Sequence, residues 1–430
     1  MKKTILIFII LITGFGGLLK AQQQEEKKFG ISWSGFVKND FFYDSRQTVS
    51  AREGHFLLYP SPVYEDPAGE DINAQGSINF LSIQSRLTGS ISGPEAFGAK
   101  TSGKIEGAFF GHTNPDINGF RLRHAFVKLD WGKTQLLTGQ YWHMMFAESC
   151  FPGTVSFNTG VPFQYFSRNP QIRLSRRFGK MVKVSLAAAT QRDFSSPGGY
   201  RSLSNSMIPD MHARLMVNIS PNMMFGLTGG YKMMRPRLKT DAGYKAENGL
   251  GSATANAFIR MDMEKVSVKM QGIYAQNAYD GLMLGGYAIR NITDTVKDFR
   301  EYTPVNTFSA WIDMHTNGKK FQVGLFGGYT QNMGLVEKVS TAVFNPQNTA
   351  ASSLYDDYAR GANIDHVFRI SPRLIWNRGK FRLAAEFEYT VAAYAESDNN
   401  GNLQLDENLK VTSSENVQNL RVLLATYYFF

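Results

Sequence analysis

From Phe29 onward the chain returns repeatedly to stretches of about ten residues in which apolar side chains alternate with polar or small ones. A period of two predicts strands with two unlike faces. Val182, Val184, Leu186 and Ala188 alternate with Lys183, Ser185 and Ala187, and Leu215, Val217 and Ile219 alternate with Arg214, Met216 and Asn218. No helical period is evident beyond the opening segment.

The connections fall into two kinds. Short, turn-like ones occur at Ser92 to Lys100, Asp130 to Lys133, Phe178 to Lys180, Ser220 to Asn222, Asp262 to Lys265, Thr316 to Lys319 and Asn377 to Lys380. Long ones rich in Pro, Gly, Asn and Asp run Ser45 to Ala74, His112 to Gly119, His143 to Ser167, Asp193 to Ile208, Pro236 to Leu250, Ala278 to Arg300, Asn332 to Asp356 and Glu396 to Ser414. The two kinds alternate from end to end. This predicts an all-β fold, a transmembrane antiparallel up-and-down β-barrel of about 16 strands, with short periplasmic turns and long extracellular loops. A soluble β-sandwich accounts for the alternation within strands, but not for the regular succession of short and long connections.

The last residues fit the same reading. Leu420, Val422, Leu424, Thr426, Tyr428 and Phe430 share one face, and Asn419, Arg421, Leu423, Ala425, Tyr427 and Phe429 share the other. Tyr428 and Phe430 are expected to sit in an interfacial aromatic girdle. A final strand ending in an aromatic residue resembles the sorting signal read by the barrel-assembly machinery of the outer membrane.

Composition narrows the choice. Over 430 residues the chain is 13% aromatic and 19% charged with 40 Gly, which suits one large barrel better than two soluble domains. A mean hydropathy of -0.26 leaves no room for a bundle of membrane helices. The lone Cys150 excludes an intramolecular disulfide and a Cys-rich zinc site. The one long apolar run, Ile5 to Leu19, lies between Lys2-Lys3 and Lys20-Ala21 and predicts a signal peptide over residues 1–21, with a single barrel domain over 22–430. Its removal takes away three lysines and no acid, lowering the formal charge from +10 to +7.

If the apolar register faces lipid, the opposite register identifies the charges of the lumen. Outward Leu122 and Phe126 place Arg121 and Arg123 inside, and outward Ile172 and Leu174 place Arg173 and Arg177 inside. By the same rule Arg86, Lys183, Arg214, Lys232, Arg260, Lys269, Arg369, Arg382 and Arg421 turn inward, against Asp40, Glu106, Asp365, Glu386 and Glu388. Some of these charges must pair with one another, but the excess is positive, and a narrow basic lumen favours anions. The third loop, His143 to Ser167, carries Met144, Met145, Phe146, Phe151, Phe157, Phe163 and Phe166 and is too apolar for a solvated tip. It is expected to fold into the pore, with Arg168, Arg173 and Arg123 near it. Packing of that loop against a neighbouring subunit is the other reading.

Gln84 to Leu87, Lys104 to Gly111, Arg121 to Val127, Gly139 to Trp142 and Ser167 to Arg173 follow one another in an order that resembles the DcaP-like family of trimeric outer-membrane porins. The similarity is strongest in the first half of the chain. It implies a sixteen-stranded homotrimer with an arginine-lined constriction for small anions such as dicarboxylates, in which Arg86, Arg121, Arg123 and Arg173 carry selectivity. Only Gln22 to Lys28 precede the first strand, where some family members carry a longer periplasmic segment.

Other classes fit less well. The seven His residues, His55, His112, His124, His143, His212, His315 and His366, show no spacing of a metal site or triad, so neither a metal nor another cofactor is expected, and an outer-membrane enzyme is the weaker alternative. His124 is placed on the apolar face. A channel specific for another solute, a transporter of apolar solutes or an adhesin are further alternatives. The basic residues are spaced at strand intervals and form no nucleic-acid module.

Overall fold

A computed structural model describes residues 29–111, 115–340 and 358–430. The expected signal peptide, the stub 22–28, His112 and residues 341–357 of the seventh loop lie outside the described residues. The barrel strands are, in order, Gly30–Asp44, a second strand in two pieces (Ser77–Leu81 and Arg86–Ser92), Lys100–Ala108, Arg121–Asp130, Thr134–Trp142, Arg168–Phe178, Val182–Ala189, Asp210–Ser220, Met223–Met234, Leu250–Asp262, Val266–Gln276, Phe299–Thr316, Phe321–Leu335, Ile364–Arg378, Phe381–Ala395 and Ser414–Phe429. Each pairs antiparallel with its sequence neighbours, and the first pairs with the last from Phe36↔Phe429 to Asp44↔Arg421, closing a 16-strand barrel. The short turns use the chemistry their sequences promised. In Asp130 to Lys133, Gly132 adopts a φ of 82° and its N–H donates to the Asp130 carboxylate at 2.8 Å.

The expected register holds along most of the wall. Leu122, Ile172, Leu174, Leu186, Leu215, Leu227, Ile370, Leu374, Leu420 and Leu424 are exposed on the outer face, as a wall set in lipid requires. Among the described residues no helix is long and apolar enough to cross a membrane; the strands do so instead. Among the described residues the longest helix is the five-residue Tyr200–Ser204 in the fourth loop.

Two bulges correct the register. Between Glu106 and Gly107 the third and fourth strands slip by one residue, so that Glu106 faces His124 while Gly107 faces Leu122. Arg123 and His124 both become buried on the lumen side, 3% and 4% exposed, so His124 is not on the apolar face. Phe126, expected outward, turns inward opposite Lys104 for the same reason. The outer-face Gln140 donates its amide to the Leu122 and Arg123 carbonyls at 3.2 and 3.1 Å, satisfying backbone acceptors at the bulge. A second slip, between Ile364 and Val367, takes Asp365 out of the lumen register; it pairs with His366 at 2.8 Å and approaches Gln331 near the loop end of the wall.

The barrel is filled rather than hollow. The third loop folds inward as expected. The first loop, expected to be external, does so too: in its hairpin Phe56–Pro60 is buried and the paired Thr48–Ala51 half-buried. Phe56 and Leu58 from that hairpin join Phe146, Phe157, Phe163 and Phe166 from the third loop and wall residues such as Ile83, Phe258, Trp311, Phe326 and Val367 in one apolar cluster. Gly328 lets the loop reach the wall, since a Cβ there would lie 2.5 Å from the Phe163 ring.

At the closing seam the backbones of Gly35 and Phe430 exchange hydrogen bonds of 3.3 and 3.1 Å. A Cβ on Gly35 would lie 2.8 Å from the Phe430 ring and 2.1 Å from the Arg86 carbonyl oxygen. Deletion of Phe430 removes the last seam pairing and the ring packed on Gly35. It is expected to lower the fraction of heat-modifiable barrel recovered from outer membranes on a denaturing gel, and wild-type recovery would refute a role for this residue in closure.

Candidate functional site

The inward cations of the wall are spent largely on the backbone of the two inserted loops. Arg214 donates to the Phe146 carbonyl at 3.1 Å, Arg260 to Ser149 at 3.3 Å, Lys269 to Phe151 at 3.1 Å, Lys38 to Val155 at 2.9 Å and Arg369 to Val161 at 2.8 Å. Arg369 also reaches the Leu57 and Leu58 carbonyls of the first loop at 2.9 and 3.2 Å, and Arg421 reaches Gly54 at 2.8 Å. A loop taken into a barrel leaves carbonyls that water cannot reach, and charged donors at strand spacing satisfy them. Acceptors do the converse: Glu386 accepts the Ser156 N–H at 2.7 Å, and Glu388 accepts from the Asn158 amide. Carboxylates neutralise the remainder, with Arg421 on Asp44, Arg373 on Asp313 and Lys232 on Asp280, each at 2.7 Å.

Below the third loop, toward the short-turn end, lies a cavity of about 430 Å³. Arg86, Lys104, Arg123 and Arg382 line it, with Glu106 as the one carboxylate. Glu106 is held by Arg123 at 2.8 Å and Thr88 at 3.0 Å, with Arg86 at 3.7 Å and His124 at 3.9 Å. Trp142, Phe146, Phe157 and Phe166 contribute to its lining from the loop side. A second cavity of about 240 Å³ lies past the loop tip at Phe151 and Gly153, lined by Lys269, His315, Arg373 and Arg382. There Asp313 already engages Arg373 and His315, which leaves Lys269 and Arg382 as its unneutralised cations. Both cavities can hold small anions and bring Arg382 to each.

The expected constriction residues therefore separate. Arg86, Arg123 and Glu106 meet at the first cavity. Arg121 and Arg168 instead clamp Asp193 of the fourth loop, each at 2.7 Å. Arg173 and Arg214 grip Glu148 of the third loop, each at 2.9 Å, and Arg173 also donates to the Trp142 carbonyl at 2.6 Å. Arg177 is exposed at the periplasmic end, opposite Lys183. Lys104 was legible but missed: it lies two residues before Glu106 on the same strand with no slip between them, so the register that sends Glu106 inward sends Lys104 inward too. The first-loop hairpin was legible: Phe56-Leu57-Leu58-Tyr59 is as apolar as the stretches that singled out the third loop.

The fold gathers one cluster that spacing did not show. His143, at the start of the third loop, lies 3.0 Å from the Asp210 carboxylate, and His212 lies 3.4 Å from its other oxygen. The three offer donor atoms within 4.8 Å of one another, the separation a bound cation needs. The Met145 N–H, however, donates to His143 Nδ1 at 3.2 Å, which puts the ring proton on Nε2 and aims it at Asp210. The cluster is thereby a hydrogen-bonded anchor for the base of the loop, and the donor set does not fit a metal at Nε2.

No protein-family profile and no curated protein sequence matches the chain. Solved structures do. The outer membrane channel DcaP of Acinetobacter baumannii superposes with a TM-score of 0.66 at 14% identity, covering 96% of this chain and 100% of that one. The fold is that of a porin. An anion-selective porin from Comamonas acidovorans aligns over 94% of this chain and all of its own at 11% identity and a TM-score of 0.51. OmpF of Salmonella typhi aligns over 93% of this chain and 97% of its own at 9% identity with the same score. With this porin fold and an apolar outer wall, the chain is an outer-membrane β-barrel.

A buried carboxylate of the fourth loop gives a pH test. Burial would raise the Asp193 carboxyl, but the guanidinium groups of Arg168, Arg121 and Arg52 outweigh it and hold the group at about 2, against an ordinary 3.8. A depressed carboxyl contributes stability that is complete above the ordinary value and is lost as pH falls through the depressed one. Thermal unfolding in detergent is expected to show wild type more stable than Asp193→Asn by on the order of 2 kcal/mol above pH 4, with the difference shrinking toward pH 2. A difference that does not change over that range would refute the clamp.

Proposed function

We propose that the chain is a channel of the outer membrane for small hydrophilic solutes, that it prefers anions, and that the preference is set at the short-turn-side cavity. The observation that carries this is the lining of that cavity, four cationic side chains against one carboxylate. Walls of low dielectric constant make such an imbalance felt by any ion entering it. The anion-selective porin of Comamonas acidovorans and the DcaP channel share the fold and support the reading. The filled lumen favours a narrow path with a defined set of small anionic solutes over a wide diffusion pore. A homotrimer is the proposed assembly: an OmpT of Vibrio cholerae with the same fold is described in a trimer form, and a broad apolar wall is buried well against copies of itself. Proposed roles are attraction for Arg86, Lys104 and Arg382, and restraint for Glu106, which occupies Arg123 and draws on Arg86.

In a planar bilayer under a KCl gradient, the reversal potential is expected to show anion preference. Arg86→Glu with Lys104→Glu should shift it toward cations, Glu106→Gln should shift it further toward anions, and Arg176→Glu, on the outer face, should leave it in place. Cation preference in the unmodified protein would overturn the reading.

A further inference from the structure

We propose that the first-loop hairpin, Thr48–Pro60, is a gate that closes the lumen in the conformation described and must lift for a solute to pass. The proposal rests on the channel reading above. Every barrel strand presents at least one buried inward side chain, and the apolar cluster crosses the lumen from Ile83 through Phe56 and Phe157 to Phe326 on the far wall. On the remaining side Arg123, Arg168, Arg173 and Arg214 are packed onto aromatic rings and are at most 7% exposed. The cavity below the third loop thus ends against Trp142, Phe146, Phe157 and Phe166.

Of the first and third loops, the first is the one built to move. Its hairpin pairs with itself, from Thr48↔Pro60 to Ala51↔Phe56, so it can leave as a unit with its ladder intact. A neck joins it to the rest of the loop, where Gln47 N–H donates to Asn73 and Ser61 N–H donates to Gln47. Wall groups hold it at a handful of points: Arg369 on Leu57 and Leu58, Arg421 on Gly54, Tyr394 on Pro60 at 2.7 Å, Asp40 on His55 at 3.1 Å and Asn79 on the Glu53 carbonyl at 3.3 Å, while Arg52 lies over the Phe194 ring of the fourth loop. The third loop has no strand pairing of its own and depends on wall groups from its base to its tip, so its release would strand its carbonyls in the barrel. Lifting the hairpin removes Phe56 and Leu58 from above Phe157 and Phe166 and leaves the third loop in place as the constriction.

The test is single-channel conductance of the full chain and of a variant in which residues 48–60 are replaced by a short Gly-Ser linker. The variant is expected to conduct several-fold more, with the same sign of ion preference. Equal conductance overturns the gate and leaves the channel reading standing; no current from either protein overturns both. A second measurement does not depend on the deletion folding. Leu57→Cys, in a Cys150→Ala background, is reacted with a membrane-impermeant maleimide while the barrel remains heat-modifiable. Labelling supports lifting, and a conducting Leu57→Cys protein that never reacts overturns it.

Discussion

Hydrocarbon offers nothing to a backbone N–H or C=O, and each such group left unpaired in lipid costs several kcal/mol. That constraint forces a chain whose apolar face alternates with a polar one to close its sheet, and the pairing of the first strand with the last is where it does so. The alternation that places Leu122 or Leu374 in lipid then sends Arg369, Arg421 and Glu386 inward. The same requirement returns inside, because loops drawn into the barrel bring carbonyls that lose water. Here the inward side chains answer it. The lumen charges are thus the hydrogen-bonding partners of the loops as much as a field for ions.

This division explains the two populations of cations. Those opposite inserted backbone, such as Arg369, Arg214 and Lys38, are bound and almost without exposure. Those facing the cavity below the third loop, Arg86, Lys104 and Arg382, share one carboxylate among them and Arg123. A count of inward charges cannot separate the groups, since both occupy the same register.

The wall was legible in the sequence because its signals are local. A period of two, glycine turns such as Gly132 and the short-long rhythm of connections each act over a few residues. The departures are those that depend on the partner strand or on the lumen. The slip at Glu106 that turns His124 and Phe126 inward is a property of two strands, and the removal of Asp365 from the lumen follows from another slip. Arg121 and Arg168 were assigned to a constriction because nothing local reveals that Asp193, on a distant loop, takes both. The inserted hairpin is a different case. Its apolar run was present, but a length-based sorting of connections assigned it to the outside.

The positions of Lys38 and Arg421 bear on how the wall itself is completed. They lie on the two strands that meet at the seam, one on each side, and they grip different inserted segments, Val155 of the third loop and Gly54 of the first. Those segments touch each other inside through Phe56 and Phe157, whose ring centroids are 4.8 Å apart. The contents of the barrel therefore span its last joint from within, as a cross-brace spans a door frame. Removing them loosens the joint as well as the passage, and the seam owes part of its strength to residues that never enter its ladder.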